Sequence, residues 1–287
     1  MLITAVWGAT FLVVHLAVNY SGPLFFVGVR FVAAAIISVC IFRRSLSGMR
    51  RLDVFAGTII GVMIFLGYSL QTYGLQTIPS SSSAFITALY VPLVPVLQWI
   101  VFRKRPRVVV LIGLGLAFIG LLLVAGPRSG MAFGAGEVAT LISTLPIAIE
   151  IVLIGLFAGR VHVGRVTIIQ LFVAGGLAFV FMPIAGEDIP AFSWVWFVAA
   201  VALGASSCLI QLTMNWAQRS VTPTRATIIY AAEPVWGGLI GRVAGDRLPA
   251  LALLGAAFIV VGTIVSDLRP RKPSETAVVR PSASQNS

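Results

Sequence analysis

The sequence predicts an all-α polytopic membrane protein of ten transmembrane helices, and three observations carry that prediction. Of 287 residues 59% are hydrophobic and only 10% charged, with a mean hydropathy of +1.02. A soluble domain carries about 25% charged residues, so this chain cannot cover a water-facing surface. Soluble enzymes and nucleic-acid binders are excluded on that ground, despite a net charge of +11. Second, ten apolar segments can be read, over roughly 2–18, 24–42, 53–75, 80–102, 108–125, 134–158, 165–185, 192–215, 222–244 and 249–267. Each is close to the ~20 residues that span a bilayer. Third, the basic residues alternate: with the N-terminus placed inside, sixteen Lys and Arg fall in inner connections. Only Arg128, Arg242 and Arg247 fall outside, so both termini are expected in the cytoplasm.

The elements follow in order. The first segment begins almost at Met1, with neither a basic leader nor a small-residue cleavage site, and reads as a true span. Its shortness is consistent with a few residues missing at the start. It carries Trp7, whose ring offers a surface to an aromatic or cationic solute or packs as ordinary core. Asn19-Tyr20-Ser21-Gly22-Pro23 turns the chain into the second span, where Arg30 lies seven residues after Pro23. A charge inside a span costs at least ~2.5–3.5 kcal/mol, so Arg30 either snorkels, pairs two helices or serves coupling. Arg43-Arg44-Ser45-Leu46-Ser47-Gly48 leads to the third span, with a close-contact Gly57/Gly61 pair and with Tyr68 and Thr72 four apart. The fourth holds Tyr90, Pro92 and Pro95, and the prolines predict a bend or break. The fifth is glycine-spaced at Gly113 and Gly120.

In the sixth span Glu150 follows Pro146 by four residues, on one helical face, placed to bind a substrate amine or carry a proton. The seventh is apolar. Ser207, Gln211 and Asn215 form a polar stripe along the eighth, which lines a cavity or bonds between helices. The ninth pairs Glu233 with Pro234, which loosens the helix beside a carboxylate; a cavity group, a structural ion pair and a helix-end contact are all compatible with it. Gly237 and Gly241 again allow close contact. After Asp267 the Arg/Pro/Ser-rich residues 268–287 read as a disordered cytoplasmic tail.

The segments repeat. Residues 73–106 align with 216–249 at a constant offset of 143, placing Tyr73-Gly74 on Trp216-Ala217, Tyr90-Val91 on Glu233-Pro234 and Lys104-Arg105-Pro106 on Arg247-Leu248-Pro249. One residue out of register, Gly113 and Gly120 match Gly255 and Gly262. Two five-span halves follow, 1–126 and 127–267. Five is odd, so the second half enters the membrane from the opposite side, the arrangement of many secondary transporters with a substrate site between the halves.

Trp7-Gly8, Arg30-Phe31, the Ser83-Ala84-Phe85 to Pro95 stretch, Ala231-Ala232-Glu233-Pro234-Val235 and Gly245-Asp246-Arg247-Leu248-Pro249 occur in that order. On these motifs the chain resembles the ten-helix EamA-like family of the drug/metabolite transporter superfamily, over about 1–267. The resemblance implies export of amino acids, related metabolites or toxic compounds. Phe102-Arg103-Lys104-Arg105 departs from the family's frequent Gly-Glu-Arg, and Glu150 stands where an aromatic or apolar residue is commoner.

The expected function is therefore a secondary transporter of a small organic solute across the cytoplasmic membrane by alternating access. A passive channel on the same scaffold and an intramembrane lipid-modifying enzyme are the competing readings. The candidate substrate-binding residues are Trp7, Tyr68, Thr72, Tyr90, Glu150, Gln211, Asn215 and Glu233, with Arg30 as a structural or coupling charge. No nucleophile motif, metal-ligand spacing or phosphate-cradling loop occurs, so no enzymatic activity, metal or cofactor is expected. Cys40 and Cys208 lie in apolar runs and form no disulfide framework. The expected partners are the solute and the lipid bilayer, not nucleic acid, and oligomeric state is left open.

Overall fold

A computed structural model describes residues 2–103, 108–125, 134–246 and 250–267. The described chain folds into twelve α helices joined by short connections. They are α1 (Leu2–Ala17), α2 (Pro23–Phe42), α3 (Arg51–Gly74), α4 (Ser80–Thr87), α5 (Tyr90–Phe102) and α6 (Val108–Ala125). Then follow α7 (Ala135–Phe157), α8 (Val163–Ile184), α9 (Trp194–Ala217), α10 (Pro223–Tyr230), α11 (Ala232–Val243) and α12 (Ala250–Asp267). Helices are what lipid demands, because each satisfies its backbone hydrogen bonds within itself. Among the described residues six segments are long and apolar enough to cross a bilayer: Pro23–Gly48, Arg51–Gly74, Ser80–Val101, Ala135–Phe157, Val163–Ile184 and Trp194–Ala217. The protein is a multi-pass membrane protein. The tail over 268–287, Arg128 and the Lys104-Arg105-Pro106 to Arg247-Leu248-Pro249 match lie outside the described residues.

The fourth and ninth apolar runs are each broken into two helices, at Ala88-Leu89 and at Ala231. Pro92 and Pro234 do not sit at the breaks themselves. Each falls in the first turn of the helix that follows, where a missing N–H costs nothing, and its ring forbids the carbonyl four residues back from continuing the previous helix. Pro95 and Pro146, by contrast, are carried inside continuous helices.

Packing brings the first six helices against the last six. α2 lies along α8, α3 against both α7 and α8, α9 against α2, and α1 against α11 as α5 is against α7. α6 runs along α12, and there the two glycine pairs meet. A Cβ added at Gly120 would stand 2.5 Å from the Gly255 carbonyl oxygen, and one at Gly262 would stand 2.5 Å from that of Gly113. Only glycine allows backbones so close. Gly57 and Gly61 likewise press α3 onto α8, against Val166, Ile169, Gln170 and Val173.

Three acidic residues fasten helix starts across this division. Glu187, in the turn after α8, accepts from the Leu24 and Phe25 amides at the start of α2, at 3.0–3.1 Å. Asp246, after α11, accepts from the Ser81 amide at 3.0 Å and from the Ser80 and Ser81 hydroxyls at 2.9 and 2.7 Å, at the start of α4. At the opposite end Asp53 accepts from the His162 amide at 3.1 Å, where α8 begins, and pairs with Arg165 at 3.3 Å. Free N–H groups and the helix dipole both favour a carboxylate there.

Partial burial works against the Asp246 charge, but the Ser80 and Ser81 hydrogen bonds outweigh it and hold its carboxyl below the ordinary value. A depressed folded-state pKa means stability that is present at neutral pH and lost as pH falls through that pKa. Asp246→Asn is expected to cost about 1 kcal/mol at neutral pH, the scale of a lost cap, and nothing in acid. Melting temperatures of both proteins across pH check this: the two curves should converge as the pH drops below the carboxylate range.

Candidate functional site

The two helix breaks meet near the middle of the bundle. Tyr90 opens α5 and Glu233 lies in the first turn of α11, where backbone N–H groups without helical partners favour an acidic side chain. The Tyr90 hydroxyl donates to Glu233 Oε2 at 2.9 Å. Two residues that the internal alignment superposes are therefore in direct contact.

α1 closes over this pair. Gly8 permits it, since a Cβ there would lie 2.7 Å from the Glu233 carbonyl oxygen and from the Gly237 nitrogen. The approach lays the Trp7 indole over Tyr90, stacked at 6.5 Å and 20°, and edge-on to Tyr230 at 5.6 Å. The indole N–H, a donor only, is within interaction range of the Tyr68 hydroxyl. Trp7, Tyr68, Tyr90 and Tyr230 thus form one aromatic wall with a carboxylate set into it.

Glu150 terminates a second network, built from α7, α8 and α9. Gln211 Nε2 donates to Glu150 Oε1 at 2.8 Å, and Gln170 Nε2 donates to Gln211 Oε1 at 2.8 Å. Asn215 Nδ2 reaches Gln170 Oε1 and Thr167 Oγ1 at 3.3 Å each, and the Gln211 carbonyl at 2.9 Å. The amide donors run Asn215 to Gln170 to Gln211 to Glu150, so every dipole in the chain points its positive end toward the carboxylate. Such aligned bonds polarise one another in a low dielectric and hold the acceptor in place.

Arg30, on α2, joins both groups. Its Nε donates to Ser207 Oγ on α9 at 2.8 Å, one turn before Gln211. The guanidinium carbon lies 5.3 Å from the Phe31 ring centroid and 5.2 Å from that of Tyr68. Tyr68 is within electrostatic reach of Arg30, Glu150 and Glu233 at once. Thr72 is buried on α3 one turn beyond Tyr68. All nine residues singled out from the sequence are at most 6% exposed. In this conformation the cluster is closed to solvent.

The arrangement has an internal logic that the offset exposes. Trp7 and Glu150, Tyr68 and Gln211, Thr72 and Asn215, and Tyr90 and Glu233 are each 143 residues apart. At three of those four pairs the earlier residue is aromatic and the later one a carboxylate or amide. At those three pairs the first half supplies ring surface and the second half supplies polar groups. Thr167, Gln170 and Tyr230 belong to the cluster as well. Gln170 was legible in principle, as a lone amide in an otherwise apolar stretch; Tyr230 has no such signal, because an isolated tyrosine near a span's end is common.

Rings facing carboxylates suit a cationic amine, which gains from the ring quadrupole and the anionic charge together. Among the described residues no group of three or more His, Cys, Asp or Glu could hold a metal ion.

The EamA-like transporter family matches residues 1–126 and, a second time, residues 134–266. An uncharacterized transporter of Archaeoglobus fulgidus is 28% identical over 269 residues, covering 93% of this chain and 84% of the relative. The uncharacterized inner membrane transporter YedA of Escherichia coli K12 is 26% identical, covering 98% and 94% of the two chains. A solved crystal structure superposes with a TM-score of 0.66 over 93% of this chain and 98% of its own, at 19% identity, a likeness of fold alone. The family match covers nearly the whole described chain, and its two spans divide it between α6 and α7. The chain belongs to the EamA-like transporter family, as a multi-pass membrane transporter.

Proposed function

We propose that the protein is a secondary transporter that exports a small organic solute, an amino acid or a related metabolite, across the cytoplasmic membrane by alternating access. Ten membrane-crossing rods form two inverted five-helix halves, 1–126 and 127–267, with α4/α5 and α10/α11 each acting as one broken span and both termini in the cytoplasm. The observation that carries this reading is the Tyr90–Glu233 hydrogen bond, a contact between two superposed residues at the broken spans. Superposed residues can touch only near the axis that relates the halves, and that is where the substrate site of an inverted-repeat transporter lies. Recurring packing supports the same reading. α1 on α11 has its counterpart in α7 on α5, and α3 on α8 in α9 on α2.

Counterflow in proteoliposomes tests the function. Solute trapped inside should accelerate uptake of labelled solute, with saturation. Linear, unsaturable flux would make the protein a passive channel, and lipid turnover without solute movement would make it an enzyme. The orientation has its own test. A reporter active only in the cytoplasm should score when fused after Arg44, Arg105, Arg165, Arg225 or Arg269 and stay silent after Ser129 or Asp188. Signal at either of the last two would break the inverted topology.

A further inference from the structure

Arg30 is an anomaly in the cluster. It is 2% exposed, so it does not snorkel to the interface. Among the described residues no carboxylate pairs with it, and Nη2 is buried without a hydrogen-bond partner. A guanidinium taken out of water is retained at this depth only if something compensates it. Two ring faces flank the guanidinium and one serine hydroxyl takes its Nε, and neither satisfies Nη2. The rest of the cluster presents two carboxylates. The unpartnered Nη2 therefore lies on the guanidinium beside Tyr68, a residue that Glu150 and Glu233 also reach electrostatically.

We propose that Arg30 is the anion subsite of the substrate site, with Nη2 donating to a carboxylate of the solute while the solute's ammonium group lies against the glutamates. This rests on the transporter reading above and sharpens it: an anionic group becomes a requirement of the solute, and amines without one are rejected. The discrimination has a physical source. A neutral carboxamide offers Nη2 only an uncharged acceptor, and a bare amine offers none and leaves a buried donor unpaired. Arg30 is then a specificity determinant for the solute and not only a packing charge.

The test uses the full-length protein in detergent and matched probes that share a side chain: a free amino acid, its carboxamide and the corresponding decarboxylated amine, for leucine, phenylalanine and lysine. Binding is read as a rise in melting temperature with concentration. At least one free acid should stabilise the protein, with its amide and amine weaker by about tenfold or more, the loss expected for one charge-assisted hydrogen bond. Arg30→Gln should erase that preference in a protein that still melts cooperatively. Arg30→Lys, which keeps the charge without the planar fork, should retain the preference at reduced affinity. Amides or amines that bind as well as the acids, no acid-dependent shift in any set, or a preference that survives Arg30→Gln would overturn the assignment. If both variants fail to fold, the wild-type comparison decides alone. Counterflow with the same probes separates the two proposals. Amines that exchange sink the anion subsite and leave the transporter; acids that bind in an Arg30-dependent way but never exchange sink the transporter and leave the subsite.

Discussion

Glu150→Gln is expected to leave a folded protein whose counterflow falls about ten- to a hundredfold, the range for losing a hydrogen-bonded charge at a binding site. The reasoning lies in the amide chain that ends on this carboxylate. Gln211 donates to Oε1 of Glu150 at 2.8 Å, and a glutamine carbonyl at the same place still accepts that bond, without the charge. The network from Asn215 through Gln170 therefore survives, and only the charge is removed. Glu150→Leu is a different case. It strands the Gln211 amide in a buried site and should cost about 1–3 kcal/mol of stability. A melting temperature unchanged in Glu150→Gln, together with lost transport, identifies a working carboxylate. Unimpaired counterflow would reduce Glu150 to a structural acceptor.

Gly8→Leu should have the other large effect, on assembly itself. The position has no room: an added Cβ alone would meet the Glu233 carbonyl oxygen and Gly237 nitrogen at 2.7 Å and the Trp236 Cβ at 2.8 Å. Two of those neighbours are backbone and cannot rotate away. Overpacking by a few atoms costs about 1–3 kcal/mol in a well-packed core, and leucine adds three carbons beyond the Cβ. α1 is then pushed off α11, and Trp7 leaves its stack on Tyr90. The expected outcome is a sharp loss of monodisperse protein and of its cooperative melting, with Gly8→Ala intermediate. A Gly8→Leu protein that purifies and melts like the wild type would show that α1 does not pack there.

Much of this is legible in the sequence alone, because lipid imposes simple rules. Apolar runs near twenty residues must become helices, and the ranges read from them fall within about two residues of the helices observed. The breaks in the fourth and ninth runs were announced by Pro92 and Pro234, although each break falls ahead of its proline and not at it. Glu150, Glu233 and Arg30 announced themselves by cost, since buried charge in an apolar run demands a reason. Other features were not legible. Tyr230 joins the aromatic wall only because α10 ends beside α1. Glu187 and Asp246 look like loop charges in the sequence, and Asp53 like the first residue of a span. Their task, capping helix starts far away in the chain, depends on which helix ends become neighbours, and that is a property of the packed bundle.

The central claim is that one buried cluster, at the meeting of the two broken spans, faces each side of the membrane in turn. The direct measurement replaces Cys40 and Cys208, introduces Tyr90→Cys or Glu233→Cys, and applies a small membrane-impermeant thiol reagent separately to right-side-out and inside-out vesicles. Alternating access predicts that each introduced thiol reacts from both faces, slowly, because the cluster is closed in the conformation described here. Reaction from one face only, or from neither, would contradict it.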